Sequence, residues 1–121
     1  MVKIPEGAKC EIMTITPQQA ERWIEVSIRV CEQLGIPVNR SETSIKEYGR
    51  YLIEDLWLFC GETVVIATDG GVIDGFNRLK AVIETGVPLT CVVVFGVPRE
   101  NRRMIDQGRP GPSASSSPWR V

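Results

Sequence analysis

The chain of 121 residues contains no histidine. That removes Ser–His and Cys–His nucleophilic pairs and the commonest general base. Its four cysteines, Cys10, Cys31, Cys60 and Cys91, form no C-x-x-C pair, so their spacing offers no zinc site and no metal centre is expected. They read as structural thiols, with Cys60 and Cys91 set in apolar runs as small buried hydrophobes. Carboxylates are not clustered in the way a two-metal site needs. Charge of one sign is also missing. Lys and Arg number 14 against 15 Asp and Glu, and a net charge of −1 provides no overall field to draw in DNA. No apolar run approaches the roughly 20 residues that span a bilayer. Met1-Val2-Lys3-Ile4-Pro5-Glu6-Gly7 lacks an apolar signal core, so a cytoplasmic protein without a membrane partner is expected. There are no internal repeats and no helix-turn-helix segment.

What is present concentrates around Gly70-Gly71-Val72-Ile73-Asp74-Gly75-Phe76-Asn77-Arg78-Leu79-Lys80-Ala81. A short apolar strand, a glycine turn and the polar opening of a helix fall within a dozen residues. Free amides at a helix N-terminus, beside a guanidinium, make an anion site, and phosphate is the obvious anion. The competing interpretation makes Asp74 an N-cap, Gly75 a turn residue and Arg78 a solvated surface charge. Phe76, Leu79, Val82 and Ile83 share one helical face, and Gly86 and Pro88 end the helix. Leu89-Thr90-Cys91-Val92-Val93-Val94-Phe95 is a β-branched apolar run suited to a strand buried on both faces. A right-handed crossover would make the strands flanking this helix parallel and put the helix N-terminus at the carboxyl end of the first.

The N-terminal half is mainly helical. Residues 10–15 alternate as an edge strand, and Thr16-Pro17 supplies an N-cap and a first-turn proline. Ala20, Trp23, Ile24, Ser27, Ile28 and Cys31 repeat at helical spacing until Gly35-Ile36-Pro37. Ser44 is the expected cap of a second helix carrying Ile45, Tyr48, Leu52, Ile53 and Leu56. Trp23 and Trp57 read as core anchors. Thr68-Asp69-Gly70-Gly71 turns between the apolar runs 63–67 and 72–73. Asp69 and Asp74 flank that turn and could share one magnesium with a bound triphosphate, although a hairpin aspartate is usually a turn residue. After the last strand, Pro98 starts a short helix in which Arg99, Arg102, Arg103 and Arg109 gather positive charge. The expected architecture is α/β (α+β): a small mixed sheet from residues near 10–15, 63–67, 71–73 and 89–95, with helices around it. Residues 1–110 form a single domain, and 111–121 a Pro/Ser-rich disordered tail whose Trp119 is a docking residue without a defined partner.

The run from Glu62 to Arg109 resembles the ParB/sulfiredoxin-like fold, the ParB N-terminal-like nuclease group, in particular its small stand-alone members from actinobacteria and their phages and plasmids. Those carry an aspartate-glycine-x-histidine-arginine motif after a hairpin, matched here by Asp74, Gly75 and Arg78, and a later signature echoed by Asp106-Gln107-Gly108-Arg109. Ile15-Thr16-Pro17, the Trp23 helix and the segment from Ser44 to Trp57 leading into Gly61-Glu62-Thr63 extend the likeness to roughly residues 10–109. Phe76 stands where sulfiredoxins have their catalytic cysteine, so sulfinic-acid reduction is not expected. Phe76 and Asn77 replace the first two of ParB's glutamate and paired arginines, and Asn77 cannot act as a base. The resemblance implies a nucleotide- or phosphate-binding domain serving DNA metabolism of a phage or plasmid, with weak or no turnover. Its site would comprise Asp74, Gly75, Asn77 and Arg78, with Arg102, Arg103 and Arg109 as outer contacts. A nucleoside triphosphate with Mg2+ would be the cofactor, with DNA and a partner protein as further partners. A nucleotide-dependent nuclease or NTPase, and a non-catalytic phage–host interaction module, stand beside it. Arg78→Ala is expected to abolish binding while moving the melting temperature by only a few degrees, as for a surface charge.

Overall fold

In the computed structural model, which describes residues 4–56 and 62–101, three helices among the described residues pack on one face of a four-stranded mixed sheet. Trp57, Cys60, Arg102, Arg103, Arg109, Trp119 and the expected tail lie outside the described residues. The elements run β1 (Lys9–Ile15), α1 (Pro17–Leu34), α2 (Glu42–Ile53), β2 (Thr63–Ala67), β3 (Val72–Asp74), α3 (Phe76–Thr85) and β4 (Leu89–Val97). All four strands fall where the alternation and the turn residues place them. No described helix is long and apolar enough to cross a membrane.

Local signals explain the helix ends. Gln19 N–H donates to Thr16 Oγ1 at 3.2 Å, Pro17 begins α1, and Gly35 ends it in the left-handed region at φ 67°. The cap of α2 is Ser41 rather than Ser44. Ser44 supplies the N–H that Ser41 Oγ accepts, at 3.3 Å, and Glu42 then sits in the first turn, where the helix dipole favours a carboxylate. Both serines are adequate caps by type, and the chain begins the helix at the earlier one.

Strand order is β1-β4-β2-β3. β4 runs antiparallel to β1 and parallel to β2, and β3 is antiparallel to β2. The parallel pair is therefore β2 and β4, joined through β3 and α3, and not the two strands that directly flank α3. The tight turn at 68–71 forces β3 to reverse, so its carboxyl end, Asp74, pairs with Val65 in the middle of β2. The N-terminus of α3 does follow the carboxyl end of the strand before it, β3, as expected, but that strand runs antiparallel to β2 and β4 rather than parallel to β4.

β4 is not equally buried on its two faces. Leu89, Cys91 and Val93 are buried with Ile15, Val64 and Ile66, and Ala20, Ile24, Ile45, Leu52, Leu79 and Val82 from the three helices complete that core. Thr90 is exposed on the other face, where its hydroxyl meets Thr14 at 2.8 Å. Trp23 packs edge-on against Phe95, with ring centroids 6.0 Å apart. α3 is central to the helical layer and contacts both α1 and α2. Fully burying a side chain such as Leu79 contributes about 2 kcal/mol, so the α3 N-terminus is anchored by the residues that follow it.

Candidate functional site

A cleft of about 330 Å³ lies where the first turn of α3 meets α1, α2 and the α1–α2 connection. Gly75, Phe76, Asn77 and Arg78 form one wall, Ile36 to Asn39 and Tyr48 another, with Cys31 and Arg99 at its margin. The cleft's position follows from the chain. β3 ends at Asp74, Gly75 turns the backbone at φ 104°, and the buried Phe76 and Leu79 pin the helix beneath.

The cap residue of α3 is Gly75, not Asp74, and no side chain among the described residues closes the helix. The amides of Phe76, Asn77 and Arg78 therefore have neither an intrahelical acceptor nor a side-chain cap. Asp74 has a half-exposed side chain with Oδ1 3.9 Å from Arg78 Nη1. Asn77 is partly committed elsewhere. Its Oδ1 accepts the Ser41 N–H at 2.9 Å, tying the α3 N-terminus to the start of α2. Asn77→Ala is expected to cost about 1 kcal/mol by leaving that N–H without its acceptor, whereas Asn77→Asp keeps it. Urea unfolding midpoints distinguish the two.

Arg78 is not a solvated charge: its side chain is 13% exposed. Nη2 sits 2.7 Å from Glu62 Oε2, Nη1 donates to the Thr63 carbonyl at 3.1 Å, and the guanidinium lies 5.5 Å from the Tyr48 ring centroid. Its Nε is buried and has no acceptor among the described residues. The site thus gathers Asp74, Gly75, Asn77 and Arg78 as the sequence suggests. Glu62, Tyr48 and the α1–α2 connection are additions that carry no local signature, because they come from distant segments. Arg102, Arg103 and Arg109 lie outside the described residues.

Arg99 has a defined partner. Its Nε donates to Asp69 Oδ2 at 2.8 Å and its Nη2 to Oδ1 at 3.2 Å, while Gly71 N–H donates to the same Oδ1 at 2.8 Å. Asp69 is therefore a turn residue clamped by an arginine, facing a different cation from Asp74. The hydrogen bond from Arg99 holds the Asp69 carboxyl below its ordinary value. A carboxyl lowered on folding contributes stability that is complete above its unfolded-state value and is lost as pH falls through the folded-state value. Asp69→Asn is expected to flatten the loss of stability below about pH 4 and to cost about 1 kcal/mol at neutral pH. Urea denaturation at a series of pH values reads both.

Among the described residues no three His, Cys, Asp or Glu side chains come together to hold a metal ion. Burial pushes the Cys91 thiol up, away from thiolate chemistry, while Cys10 is exposed and Cys31 is buried beside the cleft. The described carboxylates nearest Arg78 and Arg99 are all in ion pairs: Glu62 and Asp74 with Arg78, and Asp69 with Arg99. The arrangement can hold an anion against backbone amides and a guanidinium. Comparison with known proteins returned no matching family model, no matching curated protein and no matching solved structure.

Proposed function

We propose that this chain is a ParB/sulfiredoxin-like domain that binds a nucleotide or phosphate in the α3 cleft, serves DNA metabolism of a phage or plasmid, and turns its ligand over weakly or not at all. The observation that carries the reading is the uncapped first turn of α3, which lines a cleft together with Arg78. A phosphate there would accept from the amides of Phe76, Asn77 and Arg78, with the helix dipole favouring its charge. Gly75 lets the backbone approach, and Asn77, with Oδ1 engaged by Ser41, has Nδ2 left as a donor for a phosphate or sugar oxygen. The apolar wall of Ile36, Pro37 and Val38 suits the less polar part of a nucleotide. Weak turnover follows from the missing histidine and from carboxylates committed to arginines.

Thermal melting with CTP, ATP and GTP, each with and without Mg2+, tests this. A ligand at a hundredfold its dissociation constant adds about 2.7 kcal/mol, a shift easily seen. A rise with one nucleotide and negligible release of inorganic phosphate is the expected result. Rapid phosphate release would overturn the non-catalytic part and favour an NTPase or nuclease. A second reading, a protein-docking module, is favoured by Ile53 and Leu56, which are 66% and 52% exposed at the end of α2. A flat response to every nucleotide, with retention of a partner protein, would select it.

A further inference from the structure

Arg78 and Glu62 are an unequal pair. The arginine side chain is 13% exposed and the glutamate 42%, so the carboxylate is the partner nearer to solvent. The other contacts of Arg78 lie on Nη1, which meets the Thr63 carbonyl and Asp74. Among the described residues Glu62 alone holds Nη2, and Nε on that same edge of the guanidinium is buried without an acceptor. That edge presents two parallel N–H groups and is built to take two oxygens side by side. In the free protein it is half used.

We propose that Glu62 is a built-in competitor at the anion site: it occupies the Nη2 edge of Arg78 in the free protein and gives way to a phosphate dianion or polyphosphate that bridges Nη2 and Nε. The inference rests on the reading of the α3 cleft as an anion site. Nη1 keeps Thr63 and Asp74, the guanidinium stays over Tyr48, and the departing carboxylate rehydrates at the surface. The exchange satisfies the buried Nε and adds the amides of the α3 first turn, which Glu62 is not seen to use. A monocarboxylate ligand would merely trade one single negative charge for another. Glu62 therefore acts as a charge threshold that favours doubly charged phosphate over monoanions, and it does so through Arg78.

Titration calorimetry with inorganic pyrophosphate on wild type, Glu62→Gln, Arg78→Lys and the double variant tests this, alongside ligand-free melting to confirm folding. Glu62→Gln is expected to tighten pyrophosphate binding about fivefold, the scale of one partly exposed ion pair. The gain should vanish with Arg78→Lys, because lysine lacks the two-pronged edge. Binding by Glu62→Gln when wild type shows none would support the competitor equally. Wild type and Glu62→Gln binding alike, Glu62→Gln binding more weakly, or a gain that persists with Lys at position 78, would overturn it and leave the anion site standing. No binding by wild type or by Glu62→Gln would overturn both.

Discussion

Arg78→Ala is expected to lower the melting temperature by about 10 °C in addition to removing phosphate binding. A surface arginine would leave stability nearly untouched, but this side chain is largely buried, donates to the Thr63 carbonyl, pairs with Glu62 and covers the Tyr48 ring. Truncation removes a charge-assisted hydrogen bond, a cation–π contact and the packing of the side-chain stem. Glu62 is part-exposed and rehydrates, so the loss falls below the 3–5 kcal/mol of a fully buried pair, at about 2–3 kcal/mol. Thermal denaturation without ligand reads it directly. A shift below 2 °C would mean that these contacts contribute nothing in solution. Because the variant combines lost binding with lost stability, Arg78→Lys, which keeps the charge and most of the stem, is the better probe of binding alone.

Gly75→Val should be more damaging still. The backbone there has φ 104°, a region that a β-branched residue does not adopt without strain. A Cβ at this position would also lie 3.0 Å from Val64 Cγ2 and 3.4 Å from Val64 Cα, against a strand in the middle of the sheet. Strain and overpacking together cost about 3–5 kcal/mol, and relief requires the start of α3 to shift, moving the amides that would hold the anion. Urea unfolding with both circular dichroism and tryptophan fluorescence measures the loss. A variant within 1 kcal/mol of wild type would show that the Gly75 turn is loosely held.

The features legible in the sequence are those written locally. Thr16-Pro17 starts α1, Gly35 and Gly86 stop helices in the left-handed region, and the apolar run at 89–95 lies within β4. Strand direction was less legible. The Asp69-Gly70-Gly71 turn announces an antiparallel β2–β3 hairpin, but nothing local says that β4 pairs beside β2 rather than β3. That choice is made by packing, since Val64, Ile66, Leu89, Cys91 and Val93 must all reach one core. The site divides in the same way. Gly75 and the start of α3 are visible as a motif, whereas the Ser41–Asn77 bond joins residues 36 apart and the Glu62–Arg78 pair links the residue before β2 to a helix. Long-range polar contacts leave no periodicity behind. The charge of Arg78 is therefore legible in the sequence, and its structural role is not.

The most direct measurement is a pyrophosphate titration followed by amide chemical shifts across the chain. Binding at α3 predicts saturable shifts concentrated at Phe76, Asn77 and Arg78, with smaller ones at Ser41 and Thr63 through their contacts with Asn77 and Arg78. No saturable shift at those amides, or shifts confined to residues away from the α3 N-terminus, would contradict an anion site there.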